Sequence, residues 1–136
     1  MICSAFQPDK PLPVKLKLIS YFHVMETQKK EIREYLRPDG RCPFRNWIRS
    51  LKDVNARARI RVRINRIRLG NFGDCKSVGS GVSEFRIDYG PGYRVYFGRV
   101  GEKLVLLLCG GSKKNQEKDI KLAKEYWFDY KRREDE

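Results

Sequence analysis

Three strand-length runs lie in tandem between Ser83 and Lys114, at about 84–89, 92–99 and 103–109, separated by Gly90-Pro91-Gly92 and by Gly101. A proline between glycines supplies one fixed φ and ready access to positive φ, so the chain reverses there. The run Leu104–Cys109 is apolar throughout, as in a strand covered on both faces, and is far too short to span a bilayer. Alternation sorts the first two strands onto two faces. Phe85, Ile87 and Tyr89 go with Val95 and Phe97 as a helix-covered core, while Glu84, Arg86 and Asp88 share the other face with Arg94 and Tyr96. Lys113 and Lys114 follow Gly110-Gly111 at the end of the third strand, next to that second face. Two readings of this face stand. Glu84–Arg86 and Asp88–Arg94 could be cross-strand ion pairs of little worth, or the excess of cations, both lysines included, could bind phosphate.

The segments around this sheet read mainly as helices. Lys29–Leu36 reads as a first strand of weak alternation, with Ile32 and Glu34 opposite Arg33 and Tyr35, ended by the turn Pro38-Asp39-Gly40. Pro43 suits a first helical position, and Phe44, Trp47, Ile48 and Leu51 follow at helical spacing, so 43–51 reads as a short amphipathic helix with Trp47 in the core. From Ala56 to Ile64 apolar residues alternate with arginines, a strand pattern. The length of the segment, the N-cap candidate Asp53 and the terminating Gly70 predict a helix instead. Ala56, Ile60, Ile64 and Ile67 form one stripe on it, Ala58, Val62 and Leu69 a second, and six arginines fall between them. That pattern fits a basic helix packed on two sides, or a surface for phosphate or an acidic partner. Gly70–Glu84 reads as a strandless glycine-rich loop and lacks the Gly-Lys-Ser/Thr of a P-loop. Asn115–Tyr130 reads as a closing helix with Ile120, Ala123, Trp127 and Tyr130 on one face and the terminal KRREDE frayed.

A chain of 136 residues buries one modest core, so one domain is expected. Thirty Lys and Arg against seventeen Asp and Glu, a net charge of +13, favour a polyanionic partner, nucleic acid first and an acidic protein second, over a neutral small substrate or a membrane. Cysteines 3, 42, 75 and 109 are far apart and form neither a CxxC pair nor a Cys/His zinc spacing, so they read as free thiols of a cytoplasmic protein. His23 is the only histidine and lies in the N-terminal segment, leaving nothing from which to build a His-based catalytic pair. Acid–base chemistry would fall to Lys, Arg, Tyr or a carboxylate, and no carboxylate cluster for a metal stands out; no metal or cofactor is expected. Residues 1–24 hold three of the six prolines, with lysines interrupting the apolar run, and make a poor signal peptide. They read either as a short ordered extension or as sequence upstream of a start at Met25, with a single domain over 25–136.

At PFRNWIRSLKD (43–53), RINRIRLGNFGDCKSVGSGVSEFRIDYGPGYRVYF (63–97) and LLLCGGSKKNQEKDIKLAKE (106–125), the chain resembles the RelE/HigB branch of the RelE/ParE toxin superfamily, in its phage-derived addiction-module killer group. The resemblance covers nearly everything after Met25. It implies an α+β fold of order β–α–α–β–β–β–α: a small, mainly antiparallel sheet, two N-terminal helices on one face and a C-terminal helix. It also implies the toxin of a type II toxin–antitoxin system, an mRNA interferase acting on ribosome-bound mRNA. In this metal-independent endoribonuclease chemistry the ribose 2′-OH attacks the adjacent phosphate. Its partner would be a cognate antitoxin, a helix–turn–helix protein encoded in the adjacent gene. By position, Arg94 in GYRVYF matches the family's phosphate-contacting arginine, Arg86 in EFRI a basic active-site residue, and Lys113 a further cation that stabilises the phosphorane or protonates the leaving oxygen. Tyr96 and Glu84 are candidates for acid or base, with Lys114 and Tyr93 as RNA contacts. The late His or Tyr of some relatives has no counterpart in NQEKDI. Two other functions compete: a ParE-like, non-enzymatic block of DNA gyrase, and a plain nucleic-acid-binding module.

Overall fold

The computed structural model describes residues 29–135; the 1–24 extension, the candidate start at Met25 and His23 lie outside the described residues. The elements are β1 (Glu31–Glu34), α1 (Pro43–Ser50), α2 (Val54–Arg68), β2 (Cys75–Gly79), β3 (Val82–Ile87), β4 (Tyr93–Val100), β5 (Leu104–Ser112) and α3 (Gln116–Glu134), with a 3-10 turn at Lys113–Asn115 leading into α3. The five strands among the described residues form one sheet in the order β1-β5-β4-β3-β2. β1 pairs parallel with β5, and the other neighbours pair antiparallel. The α+β class and the mainly antiparallel sheet are as expected, but the order is β–α–α–β–β–β–β–α, one strand more.

The additional strand is β2, inside the segment 70–84 expected to be a strandless loop. Only Cys75 and Val78 of its five residues are half-buried, so it carries no apolar alternation to read. Backbone pairing with β3 sets its conformation instead, Cys75 opposite Phe85 and Lys76 opposite Glu84. The glycines belong to the reversal, where Gly79, Ser80 and Gly81 all take positive φ. β3 therefore begins at Val82 and ends at Ile87, which leaves Asp88 and Tyr89 in the connection to β4.

α2 resolves its conflicting periods in favour of the helix. Asp53 caps it by accepting from the backbone N–H groups of Asn55 and Ala56, and Gly70, at φ +92°, ends it. Ala56, Ile60, Ile64 and Ile67 are buried against Phe85, Val95, Phe97 and Leu107, with Phe44 and Ile48 of α1 in the same core. Each of the larger side chains, Ile, Leu, Val or Phe, contributes roughly 1.5–3 kcal/mol on leaving water. The second stripe is exposed, Val62 48% and Leu69 62%, so among the described residues the helix is covered on one side only.

The opposite sheet face is covered by α3, whose Ala123 and Trp127 pack on Tyr35, Val82, Tyr96, Leu106 and Leu108. β5 thus serves both cores, as its apolar run requires. Its register slips where Tyr96 pairs with Cys109 but Phe97 with Leu107, leaving Leu108 as the extra residue of a bulge. Beyond the bulge, a Cβ on Gly110 would overlap the Trp47 ring of α1, and one on Gly111 would overlap the Asp119 carboxylate of α3. The glycine pair lets one helix approach each face. α3 also runs four residues past the expected end at Tyr130, to Glu134. Asp129, which accepts from Tyr35 OH at 2.6 Å and pairs with Arg133 at 2.8 Å, anchors the turns read as frayed.

Candidate functional site

At one end of the sheet, the last residues of β3, the first of β4 and the exit of β5 meet. Arg86 stands opposite Arg94, and Arg94 opposite Gly111. The Lys113 backbone N–H donates to Gly92 O at 3.1 Å, tying the start of the 3-10 turn to the Gly-Pro-Gly reversal. A cleft of about 270 Å³ opens here, lined by Arg86, Arg94, Lys113, Tyr93, Asp74 and Asp88. Three cations that are far apart in sequence share it.

Two arginines facing each other across a strand pair repel. Glu84 offsets the repulsion: its Oε1 accepts from Arg94 Nη1 at 2.8 Å and lies 3.9 Å from both Arg86 Nε and Lys76 Nζ. Glu84 is fully buried and the Arg94 side chain is 9% exposed, whereas that of Arg86 is 40% exposed. The expected pairing of Asp88 with Arg94 is replaced, among the described residues, by one buried carboxylate serving Arg94 first and Arg86 and Lys76 at longer range. Asp74 approaches Arg86 from the rim at 3.9 Å.

The seven residues expected at the site divide. Arg86, Arg94 and Lys113 meet at the cleft. Glu84 and Tyr96 share the same sheet face but are fully buried and do not line the cleft, so neither is placed to touch a bound strand. Burial first, then the charges of Glu84 and Asp119, pushes the Tyr96 phenol well above its ordinary range and keeps it protonated. Tyr93 points into the first core, edge-on to Trp47 at 6.3 Å, and contributes only to the cleft wall. Lys114 is exposed and does not line the cleft.

Sequence reading missed Asp74 and Lys76, because both belong to the segment read as a loop; the pairing of Lys76 with Glu84 across β2 and β3 brings them in. The cleft therefore combines guanidinium and ammonium donors suited to phosphoryl oxygens with two exposed carboxylates, Asp74 and Asp88, able to accept a proton. Thiol chemistry is disfavoured: burial pushes the Cys109 thiol up to about 12, helped by Asp119, and raises Cys75 as well. Cys42, Cys75 and Cys109 are all free. Among the described residues, no three His, Cys, Asp or Glu side chains gather as a metal site, and no helix is long and apolar enough to cross a membrane.

No protein-family model matches the sequence. Over 81 residues, 60% of this chain, it is 54% identical to an uncharacterized protein of Haemophilus influenzae, of which the match spans 82%. Identity at that level over most of the relative's length means that this chain and the Haemophilus influenzae protein belong to one family.

Proposed function

We propose that this protein is the toxin of a type II toxin–antitoxin pair of the RelE/HigB kind, a cytoplasmic endoribonuclease that cuts mRNA on the ribosome at the Arg86–Arg94–Lys113 cleft. The observation that carries the reading is the convergence of these three cations on one small cleft at the sheet end. Motif resemblance and the net charge of +13 support it.

In the reaction, the ribose 2′-oxygen bonds to phosphorus while the P–O5′ bond breaks, leaving a 2′,3′-cyclic phosphate and a 5′-hydroxyl. The 2′-OH proton passes to a base, and O5′ takes a proton from an acid. Arg94 and Arg86 stabilise the charge on the phosphorane. Arg94 is the better preorganised of the two, because Glu84 fixes its guanidinium at 2.8 Å. Lys113 adds a further positive charge or protonates O5′. Asp74 or Asp88, exposed beside the cleft, takes the 2′-OH proton. Glu84 acts as a positioning residue through Arg94, and Tyr96 fills the layer beneath. No cofactor enters this reaction. A helix–turn–helix antitoxin from the adjacent gene silences the protein by covering the basic surface.

The test is induction in cells followed by mapping of mRNA 5′ ends, with Arg94→Ala and Arg86→Ala as controls. Cleavage should appear with the wild type and fall by about 10²-fold or more when one transition-state contact is lost. Variants as growth-inhibitory as wild type would sink the site assignment. A DNA-damage response over intact mRNA would instead support gyrase inhibition.

A further inference from the structure

The second stripe of α2 forms the wall of a groove. Ala58, Val62, Arg59 and Arg66 line one side of it, facing the end of β3, and its volume is about 530 Å³, within the range of ligand sites. It shares Asp74, Arg86, Ile87 and Asp88 with the cleft, so the two cavities adjoin. A strand leaving the cleft past Arg86 on that side enters the groove.

Its arginines differ in how far they are engaged. Arg63 is occupied: it donates to the carbonyls of Arg86 at 2.6 Å and Asp74 at 3.2 Å and holds the two segments together. Arg59 lies at the groove edge, stacked over Tyr89 at 4.5 Å and interacting with the charge of the Asp53 carboxylate. Arg66 is exposed and its side chain has no partner among the described residues. Between them, Ala58 and half-exposed Val62 offer an apolar wall. Cations that track a backbone beside an apolar surface for base faces are what single-stranded nucleic acid requires.

We infer that this groove binds the single-stranded RNA that flanks the scissile phosphate, an inference that rests on the ribonuclease reading of the cleft. The continuity of the two cavities through Arg86 favours RNA over an acidic peptide, which would have no reason to follow the cleft. The groove is then an extended substrate site, and its arginines act on affinity for long RNA more than on the chemical step.

The experiment measures binding of fluorescein-labelled 2′-O-methyl RNA, which lacks the nucleophile and cannot be cut, by anisotropy at low and moderate salt. Oligonucleotides of about 3 and about 10 nucleotides separate cleft from groove. Arg66→Ala should weaken the long oligonucleotide several-fold and lower its salt slope by about 1. Val62→Glu, which places an anion on the apolar wall, should weaken it further. The short oligonucleotide should respond to neither, and Arg61→Ala, on another side of α2, should change nothing. Long-RNA affinity within about twofold of wild type in both groove variants, or no binding by the wild type, overturns the groove site. So does retention of RNA binding while binding of a polyglutamate peptide is lost, which would assign the groove to an acidic protein. Those outcomes leave the cleft standing, because its own failure is read from mRNA ends in Arg94→Ala.

Discussion

Removing the Glu84 carboxylate strands a buried cation. In Glu84→Ala, Arg94 keeps a side chain only 9% exposed but loses its partner at 2.8 Å, and Arg86 faces it in register with no intervening anion. Breaking a buried pair from one side costs about 3–5 kcal/mol, and the lower end applies here because Arg86 and Lys76 are 40% and 53% exposed and can turn to water. About 3 kcal/mol is a large part of the 5–15 kcal/mol typical of a domain, and corresponds to a melting temperature lower by roughly 10–20 °C for a domain of this size. Glu84→Gln keeps an acceptor and loses only the charge, so it should cost less, about 1–2 kcal/mol. The pairing also makes Glu84 and Arg94 non-additive: Glu84→Ala with Arg94→Ala should cost at least about 1 kcal/mol less than the two single changes summed. Thermal melts of the wild type and the four variants decide the matter. A Glu84→Ala melt within about 2 °C of wild type, or additive single costs, would refute the view of Glu84 as the anchor of Arg94.

Three further outcomes follow from the packing and the titrating groups. A methyl group on Gly98 would overlap the Trp127 ring, which is itself stacked on Tyr130, so Gly98→Ala should lower stability in urea by about 1–3 kcal/mol. The hydrogen bond from Tyr35, followed by contacts with Arg132 and Arg133, holds the Asp129 carboxyl below its usual range. A carboxyl depressed in the folded state stabilises above its unfolded pKa of about 3.9, and that contribution is lost as pH falls through the folded value. Wild type should therefore melt higher than Asp129→Asn at neutral pH, with the two curves converging in acid. Cys109, buried and with its thiol pushed up to about 12, should resist iodoacetamide in the native protein and react only in denaturant, as peptide mass mapping would show.

What the sequence revealed depended on whether an element's pattern was set by its own residues. The faces of β3 and β4 were legible because alternation from Glu84 to Phe97 is interrupted only by the turn, and parity alone put Arg86 and Arg94 together. The buried stripe of α2 was legible for a similar reason, once the Asp53 and Gly70 caps outweighed the arginine alternation. β2 was not, because an edge strand held by main-chain bonds needs no apolar pattern. Nor could parity show that Glu84 and Tyr96 are buried while Arg86 emerges. That depends on how far α3 reaches along the face, which is set by contacts such as Trp127 against Gly98 and Asp119 against Gly111. For the stripe of Ala58 and Val62, spacing left a packed face and a phosphate or partner surface both open, because it shows which residues share a face and not whether anything covers it.

Gly110 and Gly111 make the sheet only one backbone thick between two helices. Trp47 presses on one glycine from the α1 side and Asp119 on the next from the α3 side, and Lys113 follows two residues later on the same chain. A side chain at either position would have to push a helix off the sheet, so these two residues set how closely α1 and α3 can approach β5 just before Lys113.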